Sequence, residues 1–184
     1  KFGDYNTTTY MGGRDLVKPY VEACRKHGLK VGLYFSGPDW YFDKDHFSFL
    51  YHGARRRNPE FPNLGPDLMA REVKFSEAEV KKHHEAYAAL VKGQVEELLT
   101  NYGKIDLLWF DGKPSIPNGD KAITLERIRQ LQPGIVVNPR MHGRGDYVTY
   151  ERTLKTNKIA PTWAEFCNTW ASNWSYVKQP QKSN

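Results

Sequence analysis

The sequence is poor in sulfur: among 184 residues only Cys24 and Cys167 are cysteines. Two cysteines so far apart exclude a disulfide-framed miniprotein and a four-cysteine zinc site, and they leave the redox compartment open. No apolar run approaches the roughly 20 residues that a membrane-spanning helix needs, so no membrane role is expected. A start methionine and a charged-then-apolar leader are both missing, and the opening Lys1-Phe2-Gly3-Asp4-Tyr5 reads as the interior of a longer chain. Nor does a glycine-rich phosphate loop follow any apolar run, which removes the signature of dinucleotide binding. What is abundant is aromatic: 5 Trp, 11 Tyr and 9 Phe in a chain that is 39% hydrophobic and 26% charged. That describes one folded domain with its own core. The net charge of +6, with Arg55-Arg56-Arg57 and Lys81-Lys82, permits an anionic partner. No helix-turn-helix or RNA-binding signature accompanies it, so these cations read as solvated and no nucleic-acid partner is expected. Asn6-Thr7-Thr8 and Asn173-Trp174-Ser175 fit the N-glycosylation pattern, a weak pointer to secretion.

Helical patterns alternate with short apolar runs. From Arg14 to His27, Leu16, Val17, Tyr20, Val21 and Cys24 recur at helical spacing, and Gly28 is a natural stop. Lys30 to Phe35 reads as a strand, opening at Ser36-Gly37-Pro38 into an irregular loop that reaches residue 75. Loops of that length in a compact domain are usually functional. Ser76-Glu77-Ala78-Glu79 resembles a capping box and starts a long helix to about Asn101. Ile105 to Phe110 is a second strand with Asp111-Gly112 at its end, about Lys121 to Leu131 a third helix, and Ile135 to Asn138 a third strand. The remainder is aromatic and weakly periodic, with one more short strand near Phe166. This order predicts an α/β fold of parallel strands with both sheet faces covered. The dinucleotide form of a doubly wound sheet lacks its loop, and a complete (β/α)8 barrel takes about 250 residues. The expectation is therefore part of a TIM-like barrel, with residues 1–184 as a single segment of a larger catalytic domain.

In such folds chemistry gathers at the C-terminal ends of the strands. Those ends hold Tyr34, Trp109 with Asp111, Asn138 with Arg140, and the region around Glu165. Aromatic faces stack on the C–H surface of a sugar, and paired carboxylates perform glycosidic chemistry. Singly, each residue has an ordinary alternative: a turn or cap for Asp111, a surface ion pair for Arg140, core packing for Tyr34 and Trp109.

Longer stretches carry a resemblance. Gly13-Arg14-Asp15-Leu16-Val17, Gly32 to Tyr41, Gly103 to Gly112, Val136 to Arg140, Gly145 to Thr149, Glu165 to Thr169 and Trp174-Ser175-Tyr176 follow in order. Together they resemble the α-L-fucosidases of glycoside hydrolase family 29, over nearly the whole chain. The resemblance implies a retaining glycosidase that removes terminal α-L-fucosyl residues from glycans by double displacement. It makes Asp111 the nucleophile, Glu165 the acid/base with Glu151 as its rival, and Tyr34, Trp109 and Arg140 the groups around the sugar. It implies no cofactor and no metal. Secreted, periplasmic and lysosomal locations all suit such a family. An inactive or partial carbohydrate-binding barrel fragment is the alternative.

The chain departs from the family pattern at Ala164, inserted between Trp163 and Glu165, at Ser175 and at Pro139. The family's Lys-His-His-Asp-Gly-Phe segment, whose histidines bind fucose, falls just before the region of Asp4-Tyr5-Asn6. The expectation is that a preceding segment or another chain completes the barrel, without which the three apolar strands leave open edges. His83-His84 sit among Lys81, Lys82 and Glu85 and read instead as solvated positions of the long helix.

Overall fold

The computed structural model of the chain describes residues 2–44, 46, 75–152, 163–169, 173–176 and 178. The Arg55-Arg56-Arg57 triplet and most of the long loop fall outside them. After a short helix, α1 (Thr7–Tyr10), comes α2 (Val17–Lys26). Arg14 and Asp15 stay outside α2 because the Asp15 carboxylate caps it from below, accepting from the amides of Val17 and Lys18 at 2.9 and 3.0 Å. Its far end closes in a Schellman turn. Gly28, at φ +68°, donates to Arg25, and Leu29 donates to Cys24.

The first strand, β1 (Gly32–Ser36), pairs in parallel with β2 (Leu107–Asp111), and β2 with the two-residue β3 (Val136–Val137). Strict alternation puts Leu33, Phe35, Leu108 and Phe110 into the core and turns Tyr34, Ser36, Trp109 and Asp111 to the other face. Contrary to the expectation that both faces would be covered, Tyr34 on that second face is 61% exposed.

Against the apolar face lie α2, the long α3 (Glu77–Asn101) and α4 (Leu125–Leu131). The expected capping box is present: Glu79 N–H donates to Ser76 Oγ at 3.3 Å, and Ser76 N–H to Glu79 Oε2 at 2.8 Å. Tyr87, Leu90, Val91, Val95 and Leu99 form the buried stripe of α3. Residues 119–121 form a separate 3-10 turn, and α4 begins only after Thr124, whose hydroxyl accepts from Arg127 N–H. Polar side chains fix the strand register at both ends of the sheet. Asp106 accepts from Val31 N–H at 2.9 Å at the lower end. Beyond the last β2–β3 pair, Leu108 with Val137, Asn138 takes over: its amide accepts from Phe110 N–H and donates to Phe110 C=O, both at 2.9 Å.

A second parallel pair joins β4 (Val148–Glu151) to β5 (Ala164–Cys167). The strand near Phe166 is as expected, whereas β4 is new. Its sequence Val-Thr-Tyr-Glu lacks the apolar run that marks a buried strand, because this ribbon is only partly covered. All the strand pairs described are parallel. The described residues form two open sets of strands and no closed barrel.

Candidate active site

Strand registry aligns the upper edge of the sheet. Tyr34 lies opposite Trp109, and Ser36 opposite Asp111. The Tyr34 and Trp109 rings stack at 5.4 Å between centroids with an interplanar angle of 18°. From there the Tyr34 hydroxyl donates to Asp111 Oδ2 at 2.5 Å. Burial first, then the hydrogen bond and negative charge of Asp111, push the Tyr34 phenol up to about 12. The loops leaving β1 and β2 run in contact, and only glycine fits where they meet. A Cβ on Gly37 would lie 2.5 Å from the carbonyl oxygen of Gly112.

Arg140, just past β3, reaches the same carboxylate. Its Nη1 donates to Asp111 Oδ1 at 3.1 Å, its Nη2 to Glu151 Oε2 at 2.6 Å, and its guanidinium carbon sits 4.6 Å over the Trp109 ring. Burial works against the Arg140 charge. The hydrogen bond and charge of Glu151, joined by the charge of Asp111, outweigh it and raise the pKa above the ordinary arginine value. One cation thus holds two carboxylates on different strands, in a bidentate-capable geometry that lysine lacks.

Glu165 is held differently. The Trp109 indole N–H is shared between its two oxygens at 2.9 and 2.8 Å, and the Thr149 hydroxyl donates to Oε2 at 3.0 Å. Tyr147 faces it as well. Burial, then the Glu165 charge, raise the Tyr147 phenol well above its ordinary value. Burial and the same charge push the Cys167 thiol up, against the opposing pull of Arg140. Of the residues expected from the strand ends, Tyr34, Trp109, Asp111, Arg140 and Glu165 form one connected cluster, joined by the rival acid/base Glu151, while Asn138 binds the Phe110 backbone instead. Thr149 and Tyr147 are partners that the sequence reading passed over. The period-two spacing of Tyr147, Thr149 and Glu151 is the signal that marks them as one strand face.

His83 corrects an expectation. It is not solvated: its side chain is 9% exposed, its Nε2 lies 2.6 Å from Asp43 Oδ1, and its ring stacks on His46 at 3.7 Å and on Phe42 at 5.2 Å. Asp43 and Phe42, remote in sequence, cover that helix face. No cluster of His, Cys, Asp or Glu among the described residues has the arrangement of a metal site. A cleft of about 490 Å³, lined by Tyr5, Ser36, Pro38, Asp39, Trp40 and Tyr41, opens beside the β1 end of the cluster.

Comparison with known proteins adds to this geometry. A family model described as Alpha-L-fucosidase matches residues 1–184. No curated protein matches the chain. Among solved structures, alpha-L-fucosidase isoenzyme 1 from Paenibacillus thiaminolyticus is similar at 30% identity and a TM-score of 0.65, over 99% of this chain and 44% of its own. Alpha-L-fucosidase AlfC from Lactobacillus casei, in complex with alpha-L-fucose product, is similar at 25% identity and a TM-score of 0.57, over 90% of this chain and 50% of its own. A bacterial fucosidase bound to a pyrrolidine-triazole inhibitor shares the fold at 23% identity and a TM-score of 0.62, over 97% of this chain and 42% of its own. The chain spans half the length of these solved structures or less.

Proposed function

The chain belongs to the alpha-L-fucosidase family, and from that premise we propose that it is a catalytic segment of a retaining α-L-fucosidase, part of a (β/α)8 barrel, acting on fucosylated glycans. The observation that carries this reading is the pair of carboxylates at parallel strand ends. Asp111 is aimed by Tyr34 and Arg140, and Glu165 is held across the Trp109 indole. The parallel β1–β2–β3 order and the likeness to solved fucosidases support the barrel.

In this reading Asp111 attacks the anomeric carbon, and the bond to the glycosidic oxygen breaks as Glu165 delivers a proton to that oxygen. A fucosyl ester of Asp111 results. Water then attacks the same carbon and gives its proton to Glu165, the ester bond breaks, and fucose leaves with its configuration retained. Tyr34 and Arg140 hold the nucleophile in one rotamer, while Tyr34, backed by Trp109, offers the sugar an exposed aromatic surface. Glu165 suits the acid role better than Glu151. Its hydrogen-bond donors among the described residues are neutral, whereas Glu151 is tied up in an ion pair with the Arg140 guanidinium at 2.6 Å.

The test is hydrolysis of 4-nitrophenyl α-L-fucoside, with the anomer first released identified by NMR. Retention is expected. Asp111→Gly should lower turnover by at least about a thousandfold, with partial recovery in azide. Undiminished turnover in Asp111→Gly would overturn the nucleophile. Fucose binding without hydrolysis by the parent chain would favour a carbohydrate-binding role.

A further inference from the structure

Glu165 is held both from β2 and from its own ribbon. Oε2 accepts from the Trp109 indole at 2.8 Å and from the Thr149 hydroxyl at 3.0 Å. The other branch of the same indole N–H reaches Oε1 at 2.9 Å, and the Tyr147 phenol and the Cys167 thiol are further hydrogen-bonding neighbours of the carboxylate. Thr149 reaches Oε2 because it is the register partner of Glu165 in the β4–β5 ladder, so no loop motion separates donor from acceptor.

Resting on the acid/base reading above, we infer that Thr149 is a positioning residue for Glu165, binding Oε2 so that the carboxyl group that delivers the proton to the leaving oxygen is held in one orientation. A carboxyl oxygen accepts from the Thr149 hydroxyl whether Glu165 is ionised or protonated. Both protonation states of the catalytic cycle then fit one side-chain rotamer, and little reorganises between the two half-reactions. The neutrality of Thr149 matters as much as its position. A cation in its place would favour the ionised form of a neighbouring acid. The other titratable groups facing Glu165 are the Tyr147 phenol from the start of the same ribbon and the Cys167 thiol on β5, with the Arg140 guanidinium beyond Cys167.

Thr149→Val preserves shape and strand preference while removing the hydroxyl, and Thr149→Ser restores it. Each variant of the full chain is assayed on α-L-fucosyl fluoride, whose departure needs little protonation, and on a fucosyl disaccharide, whose departure needs a full proton. Thr149→Val should lower kcat on the disaccharide by about tenfold and leave the fluoride within about twofold. The limb of its pH–rate profile that reports the acid should move, and Thr149→Ser should reverse both effects. Equal losses on the two substrates, or no loss on either, overturn the inference. Should Thr149→Val fail to fold, Thr149→Ala is judged on the same ratio of the two substrates. Glu165→Gln run alongside separates the two levels. If it shows no selectivity between leaving groups, the acid/base reading itself is wrong; if it is selective and Thr149→Val is not, only the role of Thr149 falls.

Discussion

Asp111 accepts from a phenol on one oxygen and a guanidinium on the other, so its two neighbours answer different questions. Arg140 brings charge, and its removal would also release Glu151. Tyr34 brings a donor that the environment keeps protonated, with its pKa pushed up to about 12. Since the phenol remains a donor throughout the neutral and mildly alkaline range, it cannot be the source of an alkaline fall in rate near pH 8 or 9. Tyr34→Phe should therefore lower kcat by about tenfold while leaving the alkaline limb of the pH–rate profile in place. A limb displaced in Tyr34→Phe would show that the phenol titrates in that range. The measurement is kcat against pH for both proteins on the same aryl fucoside.

Between strands, the ladder is shortest where β3 stops after Val137. Asn138, fully buried, stands in for the missing ladder and satisfies both backbone groups of Phe110, the residue directly before Asp111. Asn138→Ala would leave a buried N–H and a buried C=O without partners, at a cost of about 2–4 kcal/mol. Asn138→Asp keeps the acceptor but loses the donor and buries a charge, so it should fare no better. Urea unfolding checks the stability loss, and a parallel drop in kcat would register the shift of Asp111. Stability close to that of the parent chain would mean that water replaces the amide. Local signals of this kind divide into those legible in sequence and those hidden. The Ser76–Glu79 box and the stop at Gly28 involve neighbours a few residues apart, and they lie where the pattern places them. The strand ends at Tyr34 and Asp111 were legible because apolar runs point at them, although the roles of these residues came through the resemblance and not from spacing. β4 was not legible, because a half-covered ribbon needs no apolar run. Neither was the burial of His83, which depends on Asp43 and Phe42 folding over a helix face that reads as charged.

At the scale of the whole molecule, His142 makes stability depend on pH. Its Nε2 lies 2.9 Å from the Ile123 carbonyl, its ring meets Phe110 edge-on, and its buried Nδ1 has no hydrogen-bond partner among the described residues. Burial lowers its pKa against the opposing hydrogen bond to Ile123. The unfolded chain takes up this proton near pH 6.5 while the folded chain resists it, so stability falls as pH drops below that value, until the folded group also titrates. One such group sets a slope of at most about 1.4 kcal/mol per pH unit. Urea unfolding of His142→Phe should give a shallower dependence between pH 7 and 5.5, whatever its absolute stability. An unchanged slope would place the effect elsewhere. The connection between the three-stranded sheet and the β4–β5 ribbon carries a different consequence. Side chains of the cluster itself span that junction: Arg140 to Glu151, and Trp109 to Glu165. Whatever occupies the cluster must therefore either reinforce this junction or compete with it, and the opening of the ribbon is thermodynamically linked to occupancy. The backbone amides of β5, read by hydrogen exchange, become a gauge of how full the cluster is, at a distance from the ligand and without any chemical turnover.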